Sequence, residues 1–356
     1  MKIYFDVQEL YYLPQYMPIK KELDKHGIWS VFVLYSSIPE SVPSILIEAG
    51  VSNESIERVD RYEDAIALYQ KEKPDWLILG NSFDGINYLN SKTKTALVSH
   101  GIGPKACYYT VSDTPTDVRF VEGPYRTDRL KKMYPEQTFI DTGYAKLDPA
   151  INGELSDLHP SSYGLDDNKM TILYAPTFYP SSIERFSRSF PDDFKQYNII
   201  LKPHYFSLSI DRYRKQKALL EYWAGFDNVY LACSGESNIL PFMSISDVLI
   251  SDASSTLFEF TALDKPVVWC DFLKLRWGYR GLFKFRFKQR MDQDLYKYAD
   301  IAVHAKSYSQ LRKIVDEQIA FPGQYASQRA KYTLPLVGIV DGKASERIVE
   351  YMLQTK

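Results

Sequence analysis

Two histidines and a cluster of hydroxyls carry the chemistry that this sequence offers. His100 follows the apolar run 95–99, and His204 follows the apolar run 198–202. Each run reads as a buried strand, so each imidazole is expected at a strand's carboxyl end. Imidazole titrates near neutrality and serves as a general base or as a hydrogen-bond donor. The third element spans residues 247–271. There an apolar strand (Val248, Leu249, Ile250) runs into a polar turn, 251–255, and then into a helix-period segment that Pro266 ends. Asp252, Ser254, Ser255 and Thr256 sit where that helix begins. Hydroxyls and unpaired N–H groups at a helix start suit an anion, and phosphate is the obvious one. The same residue types also serve as plain helix caps.

Other groups are less specific. Gly101 and Gly103 form Gly-x-Gly without the third glycine of a dinucleotide fingerprint, and Lys105 adds a cation beside them. Asp292-Gln293-Asp294 has the form of a metal-binding triplet, but such triplets are common by chance, and no metal is expected. Residues 273–290 carry Lys274, Arg276, Arg280, Lys284, Arg286, Lys288 and Arg290 with no acid, interleaved with aromatics. That stretch reads either as the solvated face of a strand over 283–288 or as a patch for phosphates, on an anionic acceptor or on lipid headgroups. His26 reads as a solvated helix end, His159 as a linker residue and His304 as the end of a strand.

Strands must position these groups, and the sequence supplies them in alternation with helices. Strand-like runs at 2–5, 30–34, 76–79, 95–99 and 139–143 are interspersed with helical stretches at 9–25, 43–49 and 63–73. After a polar segment the alternation resumes, with strands at 171–174, 198–202, 229–232, 248–251 and 267–270 and a final helix over 344–354. This pattern predicts an α/β chain with two Rossmann-like parallel-sheet domains facing a cleft. The domains are expected at 1–150 and 170–340, joined by a linker at 151–169, with a terminal segment 341–356 packing back on the first. Ligands of open parallel sheets bind beyond the carboxyl ends of the strands. The loops after Ser99, Lys202 and Ile250 are therefore expected to face the cleft.

Composition narrows the function classes. A chain of 356 residues exceeds what one core usually serves. The formal net charge of −2 gives no field for nucleic acid, which is not expected as a partner. The three cysteines are far apart, so neither a disulfide framework nor a zinc site follows, and a reducing compartment fits. The N-terminus has no signal-peptide core, and no apolar run approaches membrane-spanning length. The expected location is cytoplasmic, with the inner face of the membrane as a surface to work on.

In this order the motifs resemble the CDP-glycerol glycerophosphotransferases, the family that builds teichoic-acid-type polymers. The stretch from His100 to Lys105 is similar to the family's His-Gly-Thr-Pro-Leu-Lys. Gly143-Tyr144-Ala145-Lys146-Leu147-Asp148 resembles its Gly-Tyr-Pro-Arg-x-Asp, and Ala175-Pro176-Thr177 its Ala-Pro-Thr. Lys202-Pro203-His204-Tyr205 is similar to its second histidine motif. The run from Asp252 to Glu259 matches its Asp-x-Ser-Ser-x-x-Phe-(Asp/Glu), and Lys265-Pro266 and Arg280-Gly281 recur as well. The departures are Ile102-Gly103 in place of Thr-Pro, Ala145-Lys146 in place of Pro-Arg, and a basic stretch after Gly281 where the family often runs acidic.

The resemblance implies a GT-B architecture whose C-terminal domain binds the nucleotide donor. It implies transfer of glycerol phosphate, or sometimes ribitol phosphate, from a CDP-activated donor to an acceptor hydroxyl, with CMP released. His100 and His204 would be the catalytic residues, His100 as general base. His204, Ser254, Ser255, Thr256, Lys202 and Asp252 would hold the donor diphosphate. Lys105, Arg280, Arg286 and Lys288 would form an acceptor or anionic surface. The implied partners are a CDP-polyol, a polymer- or lipid-linked acceptor and a membrane surface, with no metal or other cofactor. The product would extend teichoic acid, capsule or a lipopolysaccharide chain. Two alternatives stand beside this: a nucleotide-sugar glycosyltransferase or epimerase of the same fold, and a catalytically silent binding module of a polymer-assembly complex.

Overall fold

The computed structural model describes residues 1–40, 42–99, 101–102, 107–233, 235–252, 254–276 and 293–355. The chain divides into two compact units. The first comprises Met1–Ile102, Ala106–Asn152 and Leu334–Lys356, and the second is built on Gly153–Thr333.

The first unit holds β1 (Lys2–Val7), β2 (Trp29–Tyr35), β3 (Ile56–Val59), β4 (Trp76–Leu79), β5 (Lys94–Val98), β6 (Val118–Val121) and β7 (Phe139–Asp141). They form one sheet in the order β3-β2-β1-β4-β5-β6-β7, every pair parallel. Parallel strands are covered on both faces, which is why residues 3–5 of β1, 31–35 of β2 and the whole of β4 read as apolar runs. Their side chains still alternate. Ile3, Phe5 and Val7 enter a core shared with the helices Leu13–Lys25 and Ala344–Gln354. Tyr4 enters a second core with Tyr69 of the helix Tyr62–Glu72.

Neither β3 nor β6 is evident from sequence. The first, Ile-Glu-Arg-Val, is a charged edge strand. The second, Val-Arg-Phe-Val, buries Arg119 completely; its terminal guanidinium nitrogens donate to Ser112 Oγ (2.6 Å) and the Tyr108 carbonyl (2.7 Å), while its Nε has no partner among the described residues.

The terminal helix Ala344–Gln354 completes this unit, with Ile348, Val349 and Met352 in its core. Asp148 anchors the helix start. Its buried carboxylate accepts from Ala344 N (3.2 Å), Ser345 N (2.7 Å) and Ser345 Oγ (2.6 Å). Gly143, at φ +81°, lies so close to the Ile339 carbonyl that a Cβ would meet that oxygen at 2.8 Å. Leu334–Lys356 as a whole groups with the first unit, so the expected second-domain boundary at 340 falls too late.

The second unit holds β8 (Thr171–Ala175), β9 (Asn198–Leu201), β10 (Val229–Leu231), β11 (Val248–Ser251), β12 (Val267–Cys270) and β13 (Val303–Ala305). The sheet order is β10-β9-β8-β11-β12-β13, again all parallel. This is the Rossmann strand order, and its direction reverses between β8 and β11. Residues 153–169, expected as a linker, group with this unit. Leu165 is buried, and the Tyr163 ring lies 5.0 Å from Tyr230 and 5.1 Å from Phe242. His304, expected at a strand's end, is the central residue of β13 and stacks on Trp269 at 5.1 Å.

Both units start their central strands with the same device. An aspartate just before one strand accepts from a backbone N–H in the first two residues of its neighbour. Asp75, before β4, takes Lys2 N at 2.6 Å, and Asp117, before β6, takes Thr95 N at 2.6 Å. Asp247, before β11, takes Thr171 N at 2.7 Å. Each carboxylate satisfies a donor that the ladder leaves open, and so fixes strand register.

Candidate active site

In the second unit, the turns after β8, β9 and β11 share the carboxyl edge of one parallel sheet. Strand β8 lies between the other two. The histidine turn and the hydroxyl turn are therefore two strand spacings apart, roughly 10 Å. The reversal of strand order between β8 and β11 is where open α/β sheets leave a crevice.

Strand β11 ends at Ser251, whose Oγ donates to the Ala175 carbonyl at 2.5 Å and ties the ends of β8 and β11 together. Asp252 follows, fully buried. Its Oδ1 accepts from Thr177 N at 2.7 Å, and its Oδ2 from Ser182 N and Ser182 Oγ, each at 3.0 Å. The carboxylate thus organises the turn after β8 from inside. It is not presented to a diphosphate, which it would repel. The aspartate expected among the donor ligands shapes the site rather than lining it.

The hydroxyls beyond it differ from one another. Ser254 Oγ accepts from Thr256 N at 3.4 Å, a long contact just ahead of the helix Thr256–Ala262. Thr256 Oγ1 lies 3.3 Å from Ser251 Oγ. Ser255 Oγ makes no hydrogen bond among the described residues, and the residue is half-buried. Of the three, Ser255 has its hydroxyl in hand for a ligand.

His204 caps the short helix Tyr205–Ser209: its Nδ1 accepts from Phe206 N at 3.2 Å. A backbone N–H can only donate, so Nδ1 holds a lone pair and the ring proton sits on Nε2. The ring packs against Phe178 at 4.6 Å and Phe206 at 4.9 Å, and His204 N reaches back to the Pro176 carbonyl. Lys202, half-buried, closes β9 with its N–H on the Tyr174 carbonyl at 2.9 Å.

Of the basic stretch, two residues are described, and both have partners. Lys274 pairs with Glu184 at 2.8 Å. Arg276 donates to Tyr213 Oη at 2.7 Å, and its guanidinium lies over the Tyr179 ring at 4.0 Å. Phe178 links this aromatic group to His204, since its ring is also 5.6 Å from Tyr213. Neither Phe178 nor Ser182 stands out in sequence. The Ala-Pro-Thr element at 175–177 was the one available signal.

His100, Lys105, Arg280, Arg286 and Lys288 lie outside the described residues, as does Asp292. His100 follows Ser99, which comes directly after β5 in the first unit. Among the described residues no group of three or more His, Cys, Asp or Glu could hold a metal ion. No helix among them is long and apolar enough to cross a membrane.

Comparison with known proteins agrees with these motifs. Residues 105–354 match the family model described as CDP-glycerol:poly(glycerophosphate) glycerophosphotransferase. Among curated proteins, the teichoic acid glycerol-phosphate primase of Bacillus spizizenii is 36% identical over 133 residues, 37% of this chain and 33% of that one. The teichoic acid ribitol-phosphate primase of the same organism is 24% identical over 275 residues, 72% of this chain and 64% of that one. The chain thus covers less than two thirds of either relative. Among solved structures, the wall teichoic acid polymerase TagF superposes with a TM-score of 0.71 at 18% identity, over 99% of this chain and 88% of that one. A UDP-GlcNAc 2-epimerase from Neisseria meningitidis, bound to UDP-GlcNAc, gives 0.67 at 17% identity, over 99% and 100%. At such identities the likeness speaks for the fold, a pair of Rossmann-like parallel sheets of the GT-B class.

Proposed function

We infer that this chain, which belongs to the CDP-glycerol:poly(glycerophosphate) glycerophosphotransferase family, transfers a polyol phosphate from a CDP-linked donor to an acceptor hydroxyl. Glycerol phosphate is the cargo we assign, and growth of a cell-surface polymer such as teichoic acid is the purpose. The observation that carries the reading is the carboxyl edge of the second sheet. Within the matched stretch, a neutral histidine donor and an uncommitted serine hydroxyl flank the point where strand order reverses.

In this reading the acceptor oxygen attacks the β-phosphorus of the donor. The bond from that phosphorus to the bridging oxygen breaks, and CMP leaves with the electron pair. His100 takes the acceptor's proton. His204 Nε2–H, Ser255 Oγ and the Lys202 cation face the charge that grows on the diphosphate, with Ser254 and Thr256 shaping the same turn. Preorganised donors of this kind are usually the largest single contribution to catalysis. Positioning of donor and acceptor supplies much of the rest. Lys105, Arg280, Arg286 and Lys288 are assigned to an anionic acceptor at the inner membrane face. Charge neutralisation falls to protein groups, so EDTA should leave turnover unchanged, and abolition by EDTA would refute that assignment.

The test is CMP release from CDP-glycerol and CDP-ribitol, run beside UDP release and epimerisation of UDP-GlcNAc. CMP release that disappears in His100→Ala supports the reading. Turnover of the UDP-sugar, with every CDP-polyol inert, would replace it by the nucleotide-sugar alternative.

A further inference from the structure

Gln216 departs from the pattern of its own helix. The helix Arg214–Trp223 turns one face inward, and Leu220 and Trp223 of that face enter the core of the second unit. Gln216 lies one turn before Leu220 on the same face and is nearly as buried, at 2% exposure. Its Nε2–H donates to the Phe178 carbonyl at 3.1 Å. Its Oε1 has no partner among the described residues. A buried amide oxygen left unsatisfied destabilises a fold, and a leucine at 216 would avoid that cost. What the amide supplies and a leucine cannot is the hold on Phe178.

The peptide unit that follows Phe178 is held at both ends. Gln216 takes its carbonyl, and its N–H, that of Tyr179, donates to Thr177 Oγ1 at 3.2 Å. One residue before Phe178, Thr177 N is held by Asp252 Oδ1 at 2.7 Å. From this fixed backbone the Phe178 ring reaches His204 at 4.6 Å, Phe206 at 5.1 Å and Tyr213 at 5.6 Å. The imidazole therefore meets two constraints. Phe206 packs its ring at 4.9 Å and gives its N–H to Nδ1, and Phe178 packs from the turn after β8. Aromatic packing fixes the plane of the imidazole, and the bond at Nδ1 fixes which way round it sits. Together they settle the direction of Nε2–H, and a hydrogen bond weakens steeply once it is misaligned. We propose that Phe178 and Gln216 are positioning residues for His204: Phe178 holds the imidazole plane, and Gln216 holds Phe178. This role rests on the reading of His204 as a donor to the diphosphate.

A double-mutant cycle tests this on the full chain. Gln216→Leu keeps the volume of the side chain and removes its hold on Phe178. Phe178→Leu keeps an apolar contact and removes the planar wall. Each should lower kcat for CMP release by about tenfold, as misplacement of a contributing group does. Gln216→Leu should melt near the wild-type temperature, because relief of the buried Oε1 offsets the lost bond. A clearly lowered melting temperature with kcat unchanged would mark Gln216 as structural and overturn the proposal. In a His204→Ala background both substitutions should change residual turnover by less than about twofold. Equal losses in the two backgrounds would also overturn it. Gln216→Met serves the same comparison if Gln216→Leu does not fold. If the wild-type chain releases no CMP from any CDP-polyol, the functional reading fails separately. The positioning is then read from the imidazole itself by NMR, with the His204 signals assigned by their loss in His204→Ala. In the wild type the two ring nitrogens of His204 should be widely separated in shift, as a single Nε2–H tautomer gives. Gln216→Leu should narrow that separation and move the His204 Cε1–H signal, while those of His26 and His159 hold. His204 signals that do not respond to Gln216→Leu would overturn the proposal.

Discussion

At His204 the backbone N–H of Phe206 occupies Nδ1, which leaves the ring proton on Nε2. In the proposed reading, capping and donor contact use different nitrogens, and substitution can separate them. His204→Asn can still cap through its amide oxygen but cannot place a donor where Nε2 lies. His204→Gln places a donor there and caps poorly. We expect His204→Asn to melt near the wild-type temperature and to lose about 10²-fold or more in CMP release. His204→Gln should melt lower and retain more turnover. The reverse ranking in the two assays would show that His204 acts only as a cap. The serines divide similarly. Ser255→Ala should weaken donor binding by about 1–3 kcal/mol with no loss of stability, because its hydroxyl has no bond to lose among the described residues. Ser254→Ala should also cost about 0.5–1 kcal/mol of stability, because its Oγ accepts from Thr256 N. Calorimetry with CDP-glycerol and thermal melts read the two effects. Unchanged affinity in both variants would refute the assigned donor site.

Elements in this fold are held by carboxylates at their ends. Asp75, Asp117 and Asp247 open strands, Asp252 fixes the turn after β8, and Asp148 caps the terminal helix. Two of the motifs that carry the family resemblance are explained at this scale. The aspartate of Gly143 to Asp148 holds the helix Ala344–Gln354, and that of Asp252 to Glu259 holds the loop 177–182. Asp148→Ala removes three accepted hydrogen bonds from a buried position. It should cost about 1–2 kcal/mol, and the melting temperature should fall by about 2–4 °C. Amide exchange should quicken first in residues 344–354. If exchange there matches the wild type, the cap is not what secures the helix. At the other sheet's edge, His304 donates toward Asp271 at 3.0 Å and the Ala299 carbonyl at 2.8 Å, and the carboxylate raises its pKa. Its contribution to stability is present below pH about 6.5 and is lost as pH rises through the raised value.

Across the whole molecule, burial of charge sets how stability responds to pH. Asp6 lies fully buried in β1 with Tyr35 Oη at 2.8 Å and Tyr69 Oη at 2.7 Å on one carboxylate oxygen. Desolvation pushes its pKa up to about 6, from 3.8. A raised folded-state pKa means that the protonated acid favours folding. This contribution is complete below pH 3.8 and disappears as pH passes about 6. The melting temperature of Asp6→Asn relative to wild type should therefore move in the variant's favour between pH 4 and pH 7. A difference that is flat with pH would show that Asp6 is ionised throughout. The sequence by itself determined the α/β class, ten of the strands and the motif order, because a parallel strand buried on both faces must be a continuous apolar run. It also placed His204 and the Ser254–Ser255 turn at carboxyl ends. It could not show β3 or β6, whose charged residues break that run, nor that 153–169 packs into the second unit. Tertiary structure alone decided which polar groups turn inward. Asp252 and Ser255 are neighbours of similar character in sequence, yet one accepts from backbone N–H groups and a hydroxyl of another loop, and the other has a hydroxyl with no bond among the described residues. Partners 70 and more residues apart make that distinction, and no local pattern encodes them.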